Sequence, residues 1–518
     1  MLESLQYLIG GFAVAATPQN LLYCLIGAVV GTFVGILPGL GPIAGIALLI
    51  PATFGLNATS ALIMLSGIYY GAMYGGSTTS ILMNVPGETA SVITCIDGYK
   101  MAQQGRAGPA LAISALGSFI GGTIAIFGLV LIAPPLAQAA LAFGPPEFAS
   151  LMVFAFVVLS NVTGKSLVTA LMMAVVGVIL GTIGLDPVTG NERFTFGSAY
   201  LLGGIEFVAV AIGVFGIGEI LVNAAKPAEQ LEQRVVVPRL RDLYPSRQDL
   251  KRSIGAILRG TAIGFGMGLI PGPAPVIATY ASYTVEKRIS KHPEEFGEGA
   301  IEGVAGPETA NNAATQSAFI PLFVLGIPFG PVTAILLGAL LIHGVTPGPL
   351  LIAEQPQLFW AVVASMYIGN FILLLLNLPF VPLFANFLRV PKKILLPLIM
   401  IFCVTGMYSV NNSVLDIWMM LVFGALGYIL RGWAYEGAPL LLGLVLGPKL
   451  EVAFRQSVMI SHGDFGIFVE RPVSFAFLLA TLVFLVFPLI KRAARSLRRK
   501  TPPPPDTGSS ATAQQEHR

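Results

Sequence analysis

Two clusters of small polar residues interrupt otherwise apolar stretches of this sequence. One is residues 75–80, GGSTTS, and the other is residues 307–315, PETANNAAT. Hydroxyl and amide groups offer neutral donors and acceptors that can replace a hydration shell at modest burial cost. They could bind carboxylate oxygens or a sodium ion, which is a hard cation, although small and hydroxyl residues also pack helices together. The candidate ligands are Ser77, Thr78, Thr79, Asn84, Asn311, Asn312 and Thr315.

Two Pro-Gly pairs also interrupt apolar runs. Pro38 and Gly39 lie in GILPGLG, and Pro271 and Gly272 lie in GLIPGPA. Proline removes a backbone donor and glycine permits unusual dihedral angles, so we predict that a helix breaks at each pair. The N-terminus of a half-helix carries unpaired N–H groups and can hold a carboxylate without a nearby Lys or Arg. The breaks therefore predict an anion site, whereas a simple turn between two spans is the alternative for either motif alone.

Ionisable residues within apolar segments are candidates for ion coupling. Glu308 is the strongest of them, because it lies inside the second polar cluster and could bind a cation or a proton. Asp97 is a further candidate from the same group of acidic residues. His343 could titrate near neutral pH, but a lone histidine at a helix end more often has a structural role.

Three signals typical of enzymes fail on inspection. Residues 164–166, GKS, resemble the end of a phosphate-binding loop, but Leu159 stands where its first glycine should be. Residues 464–466, DFG, lack the other kinase motifs, and they also lack the leading glycine of an intramembrane aspartyl protease. No nucleophile, carboxylate pair or metal cluster accompanies them. We therefore expect no enzyme, no cofactor and no metal other than a coupling Na⁺.

The elements that must position these residues are membrane helices. The 518 residues are 55% hydrophobic and only 11% charged, whereas soluble domains carry about 25% charge. Several apolar runs are about 20 residues long, which matches the hydrocarbon core of a bilayer. Because lipid cannot satisfy backbone groups, continuous runs of this kind form helices. We predict an all-α membrane protein with about 10–12 transmembrane segments, some of them broken helices or re-entrant hairpins.

The chain repeats itself in order. The segment 35–41 recurs at 268–274, 67–79 matches 303–315, and 119–121 matches 367–369. Residues 166–177 likewise match 413–424. Collinear matches favour two internal repeats, which are typical of secondary transporters that bind substrate at broken helices near the midplane. The sequence leaves open whether the repeats are inverted or parallel.

Charge divides the chain further. Lys and Arg are concentrated in a central linker and at the C-terminal end, which predicts that both lie in the cytoplasm. These short basic clusters beside membrane spans do not indicate a nucleic-acid partner. The predicted divisions are an interfacial segment at 1–19, repeat 1 at 20–225, a basic linker at 226–259, repeat 2 at 260–490, and a disordered basic tail at 491–518.

Several motifs together resemble the large membrane subunit of the tripartite tricarboxylate transporters. They are GTFVGILPGLGPIAG, YGGSTTSILMNVPGE, DGYKMAQQGRAGPAL, GLIPGPAP, GPETANNAATQSAFIPLFVLGIP and LLIHGVTPGPLL, and the resemblance spans residues 20–490. It implies a multi-pass permease of the bacterial inner membrane, driven by an ion gradient. Its implied partners are a small membrane subunit and a periplasmic binding protein that delivers a carboxylate. The signature positions are Pro38, Gly39, Ser77, Thr78, Thr79, Pro271, Gly272, Asn311, Asn312 and Thr315.

The predicted function is secondary active transport. We expect symport of di- or tricarboxylates such as citrate with sodium ions or protons, and the two repeats would hold the substrate between them. A channel or a non-transporting membrane scaffold is the alternative. Neither of these would need a matched pair of polar helix breaks.

Overall fold

Nearly all of the described chain is helical. The computed structural model describes residues 2–37, 40–163, 166–225, 240–387, 392–433 and 435–499. Within these ranges the strands are confined to one antiparallel pair, β1 (Gly184–Leu185) and β2 (Glu192–Arg193). The predicted all-α class is therefore confirmed.

The first half of the described chain contains ten α-helices. They are α1 (Leu2–Ala15), α2 (Pro18–Ile36), α3 (Gly41–Leu49), α4 (Ala58–Met83), α5 (Val92–Gln103), α6 (Ala107–Ala140), α7 (Pro145–Thr163), α8 (Leu167–Gly181), α9 (Phe207–Ala211) and α10 (Gly218–Ala224). A π-helical segment, Ile212–Ile217, joins α9 to α10, and together they make one continuous span. Short 3-10 turns lie at Pro51–Thr53, Thr89–Ser91 and Ala199–Gly203.

The second half of the described chain contains twelve α-helices. They are α11 (Arg247–Gly268), α12 (Ala274–Ile289), α13 (Glu302–Ser317), α14 (Pro331–Ile342), α15 (Leu351–Glu354), α16 (Pro356–Asn377), α17 (Val381–Phe387), α18 (Lys392–Asn411), α19 (Val414–Gly432), α20 (Gly437–Ile460), α21 (Ile467–Glu470) and α22 (Pro472–Arg499). A π-helical segment spans Pro321–Leu325, and 3-10 turns lie at Leu240–Leu243 and Pro293–Glu295.

The two basic regions are partly helical where they are described. Helix α11 begins inside the predicted linker, whose residues 226–239 lie outside the described ranges. Helix α22 likewise includes residues 491–499 of the predicted tail, and residues 500–518 lie outside the described ranges. The boundaries of the predicted divisions stay predictions.

Helix length and composition identify the membrane spans. Among the described residues, six helices are long and apolar enough to cross a bilayer: α2, α6, the α9–α10 span, α16, α19 and α20. Five shorter apolar helices of 10–17 residues accompany them. The six candidate spans are fewer than the 10–12 segments predicted, and the total number of segments stays a prediction.

The surface is unusually apolar, and several polar side chains are buried within a largely apolar core. Large apolar side chains point outward, with Trp418 63% exposed and Phe402 59% exposed. Glu308 and Asn312 are instead fully buried. Polar groups on the inside and apolar groups on the outside are what a helical bundle in lipid requires.

Helices α2 and α3 form a helical hairpin. Asn20, near the start of α2, accepts a hydrogen bond of 2.6 Å from Ser60, near the start of α4, so these helices begin at the same level. They run parallel along a seam of glycines, where a Cβ at Gly31 would lie only 2.6 Å from the Ile68 carbonyl oxygen. The chain must therefore return to its starting level between α2 and α4, and α3 is the returning segment.

Helices α11 and α12 repeat this arrangement against α13. Arg252 of α11 bonds to Glu302 of α13 at 2.7 Å, so these two helices also begin at the same level. Arg259 of α11 bonds to Glu286, near the end of α12, at 2.7 Å, so α12 runs back along α11. The predicted helix breaks are present in both halves, between Ile36 and Gly41 and between Gly268 and Ala274. The re-entrant placement of the hairpins stays a prediction.

Each half packs against the other in a reciprocal way. Helix α6 contacts α13, and α16 contacts α4. A Cβ at Gly121 of α6 would lie 2.5 Å from the Thr309 methyl group, and one at Gly369 of α16 would lie 2.5 Å from the Tyr70 hydroxyl. Helix α8 likewise packs on α20, while α19 packs on the α9–α10 span. Neither half therefore completes its own core.

Ion pairs fasten the strand pair to α20. Arg193 bonds to Glu451 at 2.9 Å, and Arg455 bonds to Asp186 at 3.0 Å. The N–H of Val188 donates to the Asp186 carboxylate at 2.8 Å and, with Arg455, holds the pKa of that carboxyl well below its usual value. The connection between α8 and α9 is therefore an ordered cap on one end of the bundle.

The glycine seams predict a sharp difference between two positions on α11. A Cβ at Gly264 would lie 2.3 Å from the Ala310 carbonyl oxygen, whereas one at Gly266 would have no atom within 4 Å. We expect Gly264→Val to destabilise the protein by about 1–3 kcal/mol or more, because the obstacle is backbone. Gly266→Val should retain most of the wild-type stability. Melting temperature and size-exclusion profile in detergent measure both, and equal stability of the two variants would contradict the packing of α11 on α13.

Candidate functional site

A cavity of about 360 Å³ lies between the ends of the two hairpins, α2–α3 and α11–α12. Four chain breaks contribute to its wall. Two of them are residues 40–44 at the start of α3 and residues 272–276 at the start of α12. The other two are residues 86–90, between α4 and α5, and residues 329–333 at the start of α14. The cavity is thus built from the interrupted parts of the chain, as the Pro-Gly motifs predict.

Three helix N-termini open onto this cavity, those of α3, α12 and α14. Each has a proline in its first two positions, which suits the start of a helix. The first-turn N–H groups of a helix have no partner within it and carry partial positive charge. Gly272 has φ of 142°, and its N–H donates to the Phe329 carbonyl at 2.7 Å, which ties the two breaks of the second half together. The wall therefore offers neutral donors suited to an anion.

Two charged side chains line the cavity among the described residues, Glu88 and Arg431. Glu88 accepts the Ala90 N–H at 2.5 Å. Arg431, in the last turn of α19, forms an ion pair with Glu219 of α10. The sequence did not point to Arg431, because it stands at the end of an apolar run where a basic residue is ordinarily interfacial. A basic side chain therefore joins the expected neutral groups.

A second polar site surrounds Glu308 in the middle of α13. Its carboxylate accepts hydrogen bonds from Ser77 of α4, Thr94 of α5 and Ser114 of α6, the last at 3.0 Å. All four side chains are buried. The two polar clusters meet here, since Ser77 donates directly to Glu308. Thr94 and Ser114 are isolated hydroxyl residues that no motif marks.

Several side-chain amide atoms on α13 have no hydrogen-bond partner among the described residues. Asn312 donates to Ser118 of α6 at 2.7 Å, but its Oδ1 atom has no partner. The side-chain oxygen of Asn311 and both polar atoms of Gln316 are also buried without a partner in the described structure. An unsatisfied buried polar group costs about 1–3 kcal/mol. These atoms are therefore suited to bind an ion, water or a substrate.

Helix α13 links the two sites. The Asn311 amide donates to Glu88, in the cavity wall, at 3.3 Å. Thr315, one turn further on, donates to the Asn311 carbonyl at 2.9 Å. Glu308 lies one turn before Asn311, in the hydroxyl cluster. A movement of α13 would therefore affect both sites together.

Other predicted site residues lie at helix ends rather than in the cavity wall. Thr79 donates to the Ile36 carbonyl at 2.7 Å and so satisfies the last turn of α2. Asn84 is exposed and ends α4 in a left-handed conformation with φ of 57°. These residues shape the breaks, which is a supporting role.

The Pro-Gly residues are only partly described. Pro38 and Gly39 lie outside the described residues. Gly272 lines the cavity, and Pro271 precedes it in a half-buried position. Thr78 is buried within α4. Gly272 is thus the predicted binding residue that the structure places in the cavity wall.

Asp97 and His343 lie away from both sites. Asp97 accepts N–H groups from Gly297 and Gly299 at 2.8 Å and so fastens α5 to the loop before α13. His343 ends α14 and bonds to the Thr53 hydroxyl at 2.8 Å. Their positions favour structural contacts.

Comparison with known proteins identifies relatives along most of the chain. The model of the family described as "Tripartite tricarboxylate transporter TctA family" matches residues 21–442. An Agrobacterium vitis protein described as "Uncharacterized 52.8 kDa protein in TAR-I ttuC' 3'region" is 49% identical over 500 residues, which cover 96% of this chain and 99% of that protein. An Agrobacterium vitis protein described as "Uncharacterized protein in TAR-II ttuC' 3'region" is 50% identical over 224 residues, which cover 43% of this chain and 93% of that protein. No solved structure matches the chain.

The family match includes every element that builds the two sites. Residues 21–442 contain nearly all of the α2–α3 hairpin, the α11–α12 hairpin, α4, α13 and Arg431. The apolar helices and this match together establish a multi-pass membrane protein. The chain belongs to the tripartite tricarboxylate transporter TctA family.

Proposed function

We propose that this chain is the large membrane subunit of a secondary transporter that imports di- or tricarboxylates, citrate-like organic anions, by symport with Na⁺ or H⁺. The observation that carries the proposal is the cavity walled by the N-termini of α3 and α12, at the tips of the two hairpins, and by the N-terminus of α14. Its volume of about 360 Å³ suits a small organic anion. Helix N-termini bind carboxylates through N–H groups and the helix dipole.

The coupling ion is assigned to the hydroxyl cluster. Glu308 supplies one carboxylate, and Ser77, Thr94 and Ser114 supply three hydroxyl oxygens around it. Oxygen ligands of this kind suit a hard cation, and a buried carboxylate can also carry a proton. Asp97 and His343 are weaker candidates because neither contacts the cluster or the cavity.

The proposed internal repeat is inverted. Helix α4 and its counterpart α13 cross in opposite directions, since Ser77 meets Glu308 while Tyr69 lies 5.9 Å from Phe319, ring to ring. The matched glycines at 121 and 369 each pack on the other half. Inverted repeats with discontinuous helices at the centre are a common basis of alternating access. The reciprocal packing therefore supports a transporter over a channel or a scaffold.

The cellular setting follows from the family and the charge pattern. We place the chain in the bacterial inner membrane, with the basic linker in the cytoplasm. The family name describes a tripartite system, so a small membrane subunit and a periplasmic solute-binding protein are the proposed partners.

Uptake of radiolabelled citrate by cells that express the complete three-subunit system tests the function. We expect accumulation above the external concentration, because a symporter uses the ion gradient to drive its substrate. A sodium ionophore or a protonophore should abolish the accumulation and identify the ion. Uptake that only equilibrates would favour a channel, and no uptake of citrate, malate or succinate would overturn the proposal.

We also assign the Asn311 and Thr315 side chains of α13 to substrate binding, and substitutions near the cavity test that assignment. Asn311→Leu and Thr315→Val should reduce uptake about tenfold or more, because the first removes the amide that bonds to Glu88 and the second removes the hydroxyl that bonds to the Asn311 carbonyl. Thr79→Val should also reduce uptake, by loosening the end of α2. Thr405→Val is the matched control, because Thr405 makes the same bond to its own helix in an exposed position. Normal uptake in all three test variants, with normal membrane insertion, would rule out the assignment.

Glu308→Gln tests the ion site. The amide keeps the size of the side chain but removes the negative charge that would hold a cation or a proton. We expect accumulation to fall about tenfold or more and to lose its dependence on the ion gradient. Glu302→Gln, on the same helix, should behave like wild type, since Glu302 pairs with Arg252 outside the cluster. If Glu308→Gln retained gradient-driven uptake, the ion site would have to lie elsewhere.

A further inference from the structure

One basic side chain reaches the cavity in the described part of the chain. Arg431 lines the cavity together with the start of α3, residues 40–44. The remaining lining residues are neutral except for Glu88. A guanidinium is planar and always charged, and its five donors match the geometry of a carboxylate. Arg431 is therefore the strongest single anion-binding group at this site.

The ion pair of Arg431 uses only part of its donor capacity. Its Nη1 atom bonds to Glu219, which is otherwise bound through the Asn223 amide at 2.8 Å. This is the one hydrogen bond that Arg431 makes through its side chain within the described residues. Its other N–H donors remain for a second acceptor. Glu219 thus holds the guanidinium in place without using all of its N–H donors.

The ion pair with Glu219 also offsets the desolvation cost of the Arg431 guanidinium. A lone guanidinium in a membrane interior carries a large desolvation cost, which a paired carboxylate offsets. The Arg431 and Glu219 charges cancel when the cavity holds no anion. When an anion binds, the guanidinium bridges the anion and Glu219, so α10 and α19 become joined to the substrate.

We propose that Arg431 binds a carboxylate group of the substrate and that Glu219 is the positioning residue that holds Arg431 toward the cavity. This inference rests on the proposed function, and it adds a charged anchor to a site otherwise built from helix N-termini. Arg431 distinguishes carboxylates from neutral molecules of the same size. Glu219 acts only through Arg431.

Binding of citrate, malate and succinate to the purified full-length chain in lipid nanodiscs tests the assignment. Titration calorimetry measures Kd, and the melting temperature measures folding. We expect Arg431→Lys to raise Kd several-fold, because lysine keeps the positive charge but lacks the planar guanidinium that can bond to both oxygens of a carboxylate. The Arg431→Gln single variant leaves Glu219 buried without its partner, so the double variant Arg431→Gln/Glu219→Gln is the decisive one.

The double variant separates a binding role from a structural one. Two neutral amides can bond to each other, so we expect a melting temperature close to wild type. The Kd for the tightest of the three probes should rise about tenfold or more, because the charged donor is gone. A wild-type Kd in the double variant, or in Arg431→Lys if the double variant does not fold, would overturn the inference.

Controls distinguish this inference from the function on which it rests. Arg455→Gln removes another ion-paired arginine, one that bonds to Asp186 and Glu451 outside the cavity. Its Kd should equal that of wild type. If the wild-type chain neither binds nor transports any of the three anions, the proposed function fails. If wild type binds and the Arg431 variants bind equally well, only the role of Arg431 is wrong.

Discussion

Backbone groups at a broken helix cannot face lipid, and the architecture of this protein follows from that constraint. The N-termini of α3, α12 and α14 have N–H groups without helical partners, so these termini must lie inside protein or in a polar cavity. Helix α4 packs against α3 and α14, and α13 packs against α12. Glycine seams allow α2 and α11 to approach α4 and α13 closely. The helix breaks therefore require a protein-lined environment whether or not it binds a ligand.

The two polar sites differ in what surrounds them. The cavity wall combines three helix N-termini with the side chains of Arg431 and Glu88, so its anion-binding donors are backbone N–H groups and one guanidinium. The cluster around Glu308 combines one carboxylate with hydroxyl oxygens, an environment that favours a cation or a proton. Helix α13 carries residues of both, with Glu308 in one and Asn311 beside the other. Opposite charges can therefore be held close together on a single helix without competing for the same ligands.

The sequence predicted the helices, their interruptions and the types of polar residue at the centre, because each of these depends on local composition. It could not predict the direction of individual side chains. Thr79 has the expected hydroxyl, but the hydroxyl points to the Ile36 carbonyl. Thr94 and Ser114 reach Glu308 from helices far away in the chain, and Arg431 pairs with a residue 212 positions earlier. Such contacts depend on the tertiary packing alone.

The pairing of Ser77 with Glu308 also has a consequence for synthesis. The two residues are 231 positions apart, so at about 5–20 residues per second Ser77 is made roughly 10–45 s before Glu308. During that interval Ser77 can bond to the Met73 carbonyl of its own helix, at 3.1 Å. Glu308 has no comparable partner on α13 for its charge. Because the first half is made first, the neutral Ser77 hydroxyl can enter the bilayer while it bonds to its own helix. The Glu308 carboxylate is made only after the three hydroxyl groups that donate to it.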